Sequence, residues 1–368
     1  MVKIGIICEY NPFHNGHLYH LEKIKEMFPD SLVILVVTNN FTERGNMSIL
    51  NKKEKTLVSL NHRIDLVVEL PFKYGCQSAD IFANGAIQIL NKFKVDYLVF
   101  GSESNDVDNL INLANIQLND KNYNKKVQEY LDLGNNYPTA MSKALKDISG
   151  YLIESPNDLL GLSYIKEIIK QKTSIKPISI QRSNDYHKSA TDIRNNLNND
   201  NIKEYVPNDV YEILKNKKEY TYFNYLKYKI LIDKEKINNY LDVDEGIENR
   251  IINYIDKSNS LDELIDNIKT KRYTYNKISR MLIHILTSYT KNESKNKDLE
   301  YIRVLGFNSC GKKYLNEIKK DINIPLISNI KKEDEELLKL DIKVEKLYCL
   351  INDIDINSYK DKVIIKED

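Results

Sequence analysis

Tryptophan is absent from this 368-residue sequence, and cysteine, proline and glycine are scarce, with 4, 8 and 12 residues. The cysteines are scattered and form no C-x-x-C pair: Cys8, Cys76, Cys310 and Cys349. This pattern argues against a zinc site or a disulfide framework and predicts a reducing, cytoplasmic location. No apolar run approaches the ~18 residues that a bilayer-spanning helix needs. The first residues also lack the order of a signal peptide, so we expect no membrane partner.

An excess of charge of either sign is lacking too, because 54 basic and 53 acidic residues give a net charge of +1. Any basic surface for nucleic acid must therefore be local. The phosphate-loop motif G-x-x-x-x-G-K-S/T, the nucleophile motif G-x-S-x-G and the dinucleotide motif G-x-G-x-x-G are all missing, which disfavours those enzyme classes. The length suggests about two domains.

Strand and helix patterns alternate through the first half of the chain. Strands are predicted at residues 2–8, 31–37, 65–70, 97–100 and 175–180, and helices at 49–60, 78–92 and 155–171. This order predicts an α/β fold with a Rossmann-like parallel sheet, helices on both faces, and ligands at the carboxyl ends of the strands. After about residue 201 the strand patterns largely disappear. We therefore predict an α/β domain at 1–200 and a mainly α-helical C-terminal domain at 201–368.

Two histidines flank a glycine where the first strand leads into a helix. His14, Gly16 and His17 follow the strand directly. The first amides of a helix have no internal partners, and the positive end of its dipole favours a phosphate. Both histidines could then face the same anion, since they are three residues apart. The alternative is a pair of surface histidines in an ordinary turn.

A second candidate phosphate site lies at the start of a later helix. Ser189 and Thr191 supply hydroxyl groups, and Arg194 lies one turn into the helix. The alternative is a plain capping box between Ser189 and Asp192. Two such sites on one alternating fold favour the phosphate interpretation.

Together, H-x-G-H and the Ser/Thr-x-x-Arg helix start resemble the nucleotidylyltransferase superfamily. Longer blocks resemble the bacterial tRNA(Met) cytidine acetate ligase family: EYNPFHNGH, DLVVELPF, QSADIFANGA, VFGSES, SPNDLLGLSY, SIQR and SATDIR. Looser similarity continues at VLGFN and PLIS. The chain departs from the family in residues 38–46, TNNFTERGN, where Ser-Gly usually precedes Asn-Phe and Gln precedes Arg-Gly, although Phe41, Arg44 and Gly45 match.

The resemblance implies a two-step ligation. Acetate attacks the α-phosphate of ATP to give acetyl-adenylate and pyrophosphate, and the wobble cytidine of elongator tRNA(Met) then takes the acetyl group to become N4-acetylcytidine. Mg²⁺ is expected with the triphosphate and held mainly by the phosphates, so no protein metal site is predicted.

The resemblance also implies where ATP binds. The residues are Ile7, Cys8, Glu9, Tyr10, Asn11, Pro12, Phe13, His14, Asn15, Gly16, His17, Leu18, Tyr19, His20, Gly101, Asn157 and Arg182. We predict that Ser189 and Thr191 contribute as well, and that His14, His17 and Arg194 are catalytic. The alternatives are that Gly101 only ends a strand, that Asn157 only starts a helix, and that Arg182 is a surface charge.

A tRNA substrate needs a basic surface, and residues 269–280 carry five bases, no acids and two tyrosines. We predict phosphate contacts from Lys271 and Arg272 and stacking by Tyr273 or Tyr275. A solvated helix face is the alternative. A second candidate contact is formed by two residues beside the second motif, His187 and Lys188.

Two other functions stay open at this point, and so does the oligomeric state. A small-molecule nucleotidylyltransferase would share every phosphate motif, but it would not account for a large helical domain. An RNA-binding protein with a regulatory nucleotide site would not need both motifs intact.

Overall fold

A computed structural model describes residues 1–183, 189–197 and 199–367. Its strands are β1 (Lys3–Cys8), β2 (Leu32–Thr38), β3 (Leu66–Leu70), β4 (Tyr97–Ser102), β5 (Lys176–Gln181), β6 (Ile302–Phe307), β7 (Leu326–Ile327) and β8 (Ile364–Ile365). The five strands predicted in the first half are confirmed, with ends that differ by one or two residues.

Sixteen α-helices lie between and after these strands in the described part of the chain. The first eight are α1 (Asn15–Met27), α2 (Lys52–Asn61), α3 (Phe72–Gly75), α4 (Ala79–Lys92), α5 (Val107–Asn119), α6 (Lys121–Asp132), α7 (Tyr137–Ser149) and α8 (Pro156–Lys170). The others are α9 (Ala190–Arg194), α10 (Asn208–Leu214), α11 (Phe223–Ile232), α12 (Ile247–Ile255), α13 (Leu261–Ile268), α14 (Tyr275–Leu286), α15 (Ser309–Ile318) and α16 (Lys339–Ile351).

The strands form one sheet in the order β5-β4-β1-β2-β3-β6-β7, and β8 also pairs with β6. The pairs from β5 to β3 are parallel, whereas β3 and β6 are antiparallel. The sequence prediction that strands largely disappear after residue 201 is therefore wrong for β6. Its apolar run extends a sheet built from the N-terminal half, with a register shift between Val67 and Val68 where the two strands pair. The division of the chain into two domains near residue 200 stays a prediction, but strands from both sides of residue 200 form the sheet.

Alternate residues of β2 point to opposite faces of the sheet, as its pleat requires. One set packs with α4, α5 and α8: Leu32, Ile34 and Val36. The other set packs with α1 and α10: Val33, Leu35 and Val37. Both faces of the sheet are thus buried, which explains why β2 is apolar at almost every position.

A separate core joins the later helices to the sheet. It contains the apolar sides of α11 to α14 and α16, together with Phe41 after β2 and Phe72 in α3. These two phenylalanines fix the helical region against the carboxyl ends of β2 and β3. Among the described residues, no helix is both long enough and apolar enough to cross a membrane.

Candidate active site

The loop after β1 ends in a helix start that is built by its two histidines. His14 is the N-cap of α1, and its Nδ1 accepts a hydrogen bond from the backbone N–H of Gly16 at 3.0 Å. In return, Nδ1 of His17 accepts from the backbone N–H of His14 at 3.2 Å. The two imidazole centroids lie 3.9 Å apart. The pair therefore forms a reciprocal capping box, the role that Ser and Glu usually fill.

This capping changes which groups could meet a phosphate. The backbone N–H of Asn15 donates to the carbonyl of Tyr205 at 2.9 Å, and that of His17 donates to the carbonyl of His14 at 2.8 Å. The amide of Gly16 is held by the His14 ring. The sequence expectation of free amides at this helix start is thus wrong for these three residues. The donors left for an anion are the imidazoles themselves.

The same hydrogen bonds define the protonation state of the rings. Because Nδ1 of each ring is an acceptor, each neutral ring carries its proton on Nε2. Burial and the nearby charge of Arg182 lower the pKa of His14 to about 4. Burial and the neighbouring His14, His20 and Arg182 hold the pKa of His17 well below its usual value. Both rings are neutral at pH 7 and present Nε2–H groups.

Aromatic packing fixes the orientation of these rings. Tyr10 contacts His17 edge-on at 4.8 Å between centroids, and Phe13 lies 5.5 Å from the same ring. Phe13 also stacks on His62 at 4.9 Å, and His62 is held by Asp209 at 3.0 Å. A ring fixed in this way needs little reorganisation when charge develops next to it.

Arg194 brings the two sequence motifs together. Its Nη1 donates to the carbonyl of Asn11 at 2.6 Å, and its Nη2 donates to Oγ1 of Thr191 at 3.0 Å. The side chain of Asn11 accepts in turn from the backbone N–H of Ile49 at 2.9 Å. The start of α9 is therefore held against the loop that precedes α1.

The capping box considered as the alternative at the second motif is also present. Ser189 accepts from the N–H of Asp192 at 3.2 Å, and the Asp192 carboxylate accepts from the Ser189 N–H and Oγ, both at 2.8 Å. The Ser189 hydroxyl is therefore engaged within the motif, whereas Thr191 faces Arg194.

The third part of the site lies at the ends of β4 and β5. Gly101 lies within β4 and pairs with Ile180, so it does not end the strand. A Cβ at Gly101 would meet only Cγ of Arg182, at 3.6 Å. Packing within the protein therefore leaves space for a side chain here. The glycine leaves the carboxyl end of β4 open, and we call the space at the carboxyl ends of β1, β4 and β5 the cleft.

Glu103 links two of the predicted ATP-binding residues. Its carboxylate accepts a short hydrogen bond from Nδ2 of Asn157 and another from the N–H of Asp158 at 3.2 Å. It also lies 3.8 Å from Nε of Arg182. Sequence reasoning missed Glu103, although an acidic residue directly after a buried strand is a signal that could have found it.

Asp158 shapes the turn after β4, whereas the sequence indicated it only as a residue at the start of the predicted helix 155–171. Its carboxylate accepts from the N–H of Glu103 at 3.1 Å and of Ser104 at 3.0 Å, and from the hydroxyls of Ser102 and Ser155. Although burial opposes ionisation, these hydrogen bonds lower the pKa of Asp158. The carboxylate therefore stays ionised and fixes α8 to the end of β4.

On the other side of the site, Glu9 accepts from the N–H of Glu43 at 2.6 Å. Burial raises the pKa of Glu9, and the positive charges of Lys55, Arg44 and Arg194 oppose that rise. We call the loop between β1 and α1 the nucleotide loop, because it is predicted to bind ATP. Residues 41–47, which overlap the segment 38–46 where the chain departs from the family pattern, thus border the nucleotide loop. We call this segment the 41–47 loop.

The predicted tRNA patch is largely engaged within the protein. Tyr273 is only 5% exposed and donates to the carbonyl of Asp244 at 2.8 Å, so it offers no stacking face. Tyr275 is 40% exposed but donates to Asp262. Arg272 forms an exposed ion pair with Glu245 at 2.6 Å, while Lys271 is exposed. Two further predicted contacts, His187 and Lys188, lie outside the described residues.

A well-defined cavity of the described structure lies elsewhere. It has a volume of about 250 Å³ and is lined by α2, β6 and α16, including Lys52, Arg303 and Glu345. None of the histidines of α1 lines it. Within residues 1–183, 189–197 and 199–367, no cluster of three or more His, Cys, Asp or Glu side chains could hold a metal ion.

Comparison with known proteins places this site in a family context. Residues 1–362 match the model of the HIGH nucleotidyl transferases. A protein of Caldicellulosiruptor saccharolyticus named tRNA(Met) cytidine acetate ligase is 39% identical over 95% of this chain and 94% of its own. A protein of the same name from Clostridium novyi is 36% identical over 95% of each chain. The crystal structure of Thermotoga maritima TmcAL bound with alpha-thio ATP superposes with a TM-score of 0.90 at 27% identity and covers 100% of both chains.

Proposed function

The chain belongs to the tRNA(Met) cytidine acetate ligases of the HIGH nucleotidyl transferase family, and from this premise we propose how it works. It is an ATP-dependent ligase that acetylates the wobble cytidine of elongator tRNA(Met). In the first step a carboxylate oxygen of acetate bonds to the α-phosphorus of ATP, and pyrophosphate leaves. In the second step the cytidine N4 amine attacks the acetyl carbon, AMP leaves and the amine loses a proton.

One observation carries the proposal: Arg194 bridges the two phosphate motifs through its contact with the Asn11 carbonyl at 2.6 Å. A single triphosphate can then span both helix starts. In-line displacement at phosphorus depends mainly on positioning and charge stabilisation, which fixed donors provide. No nucleophilic side chain is required.

The imidazoles act as neutral donors. Their Nε2–H groups stabilise negative charge on the α-phosphate as acetate attacks, with His17 the more important because its ring is the more tightly packed. Arg194 and Thr191 hold the leaving pyrophosphate at the start of α9, and Ser189 keeps that start in shape. Mg²⁺ accompanies the triphosphate and neutralises part of its charge, held mainly by the phosphate oxygens.

The nucleoside half of ATP binds across β4 and β5. Gly101 lets it approach the strand end, and Asn157 and Arg182 contact it from α8 and the residue after β5. The carboxylate of Glu103 positions both side chains. Residues 7–20, from the end of β1 into α1, surround the phosphates and the ribose.

The tRNA approaches from the helical side of the molecule. Lys271 and Arg272 contact phosphates there, since both side chains are exposed. Arg272 must exchange its ion pair with Glu245 for an RNA phosphate, which is inexpensive for an exposed pair. His187 and Lys188 follow the nucleotide site in sequence and contact the anticodon region.

The test is to incubate the protein with ATP, labelled acetate and total tRNA, then to digest the RNA and identify the labelled nucleoside. We expect N4-acetylcytidine from elongator tRNA(Met) alone. His17→Ala should abolish acetate-dependent pyrophosphate release while tRNA affinity stays nearly unchanged. If the wild-type protein transfers label to no nucleoside, or releases pyrophosphate without acetate, the proposed function is wrong.

A further inference from the structure

An arginine of the 41–47 loop has no assigned role, although it lies beside the nucleotide loop. Arg44 is exposed, and among the described residues no hydrogen-bond acceptor or acidic side chain contacts it. The residue before Arg44, Glu43, donates its N–H to the Glu9 carboxylate at 2.6 Å, so Arg44 lies beside the nucleotide loop, and its charge acts on both Glu9 and Arg194. An arginine without a partner at such a position is available to an anionic ligand.

The loop that carries Arg44 is fixed on both sides of it. The residue before it, Glu43, accepts from Nη1 of Arg280 at 3.3 Å and donates its N–H to Glu9. The residue after it, Gly45, accepts from Oγ of Ser279 at 2.8 Å. The backbone around Arg44 is thus held between the nucleotide loop and α14, while its side chain stays free.

The other positive groups of this region are already committed. Lys55 is fully buried and donates to the carbonyls of Thr38 and Asn39 at 3.2 and 2.8 Å. Arg194 serves Asn11 and Thr191, and Arg280 serves Glu43. Three arginines, Arg44, Arg194 and Arg280, thus act on the two carboxylates of Glu9 and Glu43, so the local charge favours one more anion.

On this basis we infer that Arg44 binds the carboxylate of acetate and holds it for attack on the α-phosphate; the inference rests on the proposed function. A guanidinium group matches a carboxylate with two parallel hydrogen bonds. Acetate must reach the phosphate of ATP first and the cytidine amine second. It therefore belongs between the nucleotide loop and the helical region, which is where the 41–47 loop lies.

Arg44 also offsets a repulsion that the reaction cannot avoid. Acetate and the α-phosphate are both negatively charged, and they must approach each other to bonding distance. Little solvent screens their repulsion in a partly buried site. A cation bound to acetate lowers the cost of this approach. One carboxylate oxygen of acetate must be free to attack the α-phosphorus. Arg44 therefore keeps a hydrogen bond to the other carboxylate oxygen while the new bond to phosphorus forms.

The test is acetate-dependent ATP–pyrophosphate exchange without tRNA, measured for the wild type, Arg44→Gln and Arg44→Lys. We expect Arg44→Gln to raise the KM for acetate about 10- to 100-fold, the range that corresponds to a lost charge-assisted hydrogen bond. The KM for ATP should change less than about twofold, since Arg44 does not hold the nucleotide. Arg44→Lys keeps the positive charge but lacks the planar guanidinium group, so its KM for acetate should lie between those of the wild type and Arg44→Gln.

The matched control is Arg63→Gln. Arg63 is exposed and precedes the amino end of β3, whereas Arg44 follows the carboxyl end of β2. The acetate KM of Arg63→Gln should equal that of the wild type. Added free guanidinium should partly restore acetate use by Arg44→Ala, an effect that a loss of loop structure would not show.

Each other outcome overturns the inference. An unchanged acetate KM in Arg44→Gln excludes Arg44 from acetate binding, and a raised ATP KM alone assigns it to the triphosphate. A defect seen only with tRNA assigns it to the RNA. The wild-type exchange reaction separates a failure of this inference from a failure of the proposed function. If the wild type shows no exchange, the proposed function is refuted whatever the variants do.

Discussion

Gly45 offers the sharpest test of how the 41–47 loop is anchored. Its φ is +78°, and a Cβ added there would lie 2.3 Å from the backbone N of Arg280 and 2.5 Å from the carbonyl carbon of Ser279. Both distances are about 1 Å short of ordinary contact, and both involve backbone atoms of α14. Neither atom can move without displacing the helix, so we expect the loop to move instead.

The cost of Gly45→Ala has two parts. A left-handed backbone costs a residue with a Cβ about 1–2 kcal/mol. Displacing the loop also loses the buried Ser279–Gly45 hydrogen bond and weakens the Arg280–Glu43 contact, each worth about 1 kcal/mol or somewhat more. We therefore expect the free energy of unfolding to fall by about 3–4 kcal/mol.

Gly134 supplies a matched control. Its φ is +82°, yet a Cβ there would meet nothing within 4 Å. Gly134→Ala should thus show the backbone cost alone, about 1–2 kcal/mol. Urea unfolding followed by circular dichroism measures both variants, and the acetate KM of Gly45→Ala reports whether Arg44 has moved with the loop. Equal losses of stability in the two variants would refute the contact between the loop and α14.

Three further predictions concern the cleft and its surroundings. Gly101→Ala should leave the melting temperature nearly unchanged, because the added methyl group crowds no protein atom. It should raise the KM for ATP about tenfold, because the methyl group meets the nucleotide. An unchanged KM would show that the nucleoside does not bind at the end of β4. The double substitution Lys271→Glu and Arg272→Glu should weaken tRNA binding. In filter binding, the slope of log affinity against log salt concentration should become shallower by about one unit per residue. Unchanged binding would show that this patch is only a solvated face. Because the pKa of His14 is about 4 when folded and its usual value is 6.5, the unfolded chain binds the proton more readily between these values. His14 alone should therefore lower the stability by about 2 kcal/mol from pH 7 to pH 5, and His17 and His20, whose pKa values burial also lowers, act in the same direction. A His14→Asn variant that loses as much stability as the wild type over this interval would contradict the assignment.

The first half of the fold could be predicted because its signals are local. Buried parallel strands are continuous apolar runs. The start of the predicted helix 155–171 is indicated by Ser155, Pro156 and Asp158. The structure places that helix at Pro156–Lys170. Such patterns depend on neighbours in sequence, so they can be interpreted without knowing the fold.

The later strand β6 could not be predicted in the same way. Its six residues, IRVLGF, are few, and helical patterns surround them. What makes them a strand is the open edge of β3, more than 200 residues away in sequence, whose hydrogen bonds they complete. Pairing between distant segments leaves no periodic signal in either one.

The site shows the same limit at the level of single residues. His14, His17 and Arg194 were identified from motifs, but their mutual geometry was not, since it depends on Arg194 reaching the Asn11 carbonyl. Glu103 was missed because it contacts Asn157, Asp158 and Arg182, which are distant from it in sequence. These contacts become visible only once the carboxyl ends of β4 and β5 and the start of α8 are brought together.

The capping box of α1 explains why one motif can serve both folding and chemistry. A helix start needs two acceptors for its first amides, and an imidazole can supply one through Nδ1 while keeping a donor on Nε2. Serine or aspartate at position 14 would cap the helix equally well, but neither would carry a ring N–H donor at pH 7. Two imidazoles at N-cap and N3 therefore stabilise the helix and, through the same hydrogen bonds, fix the tautomer on which the proposed reaction depends. This reasoning predicts that His17→Gln, which can accept from the His14 N–H through its side-chain oxygen, should retain most of the stability that His17→Ala loses, yet recover little of the rate of pyrophosphate exchange.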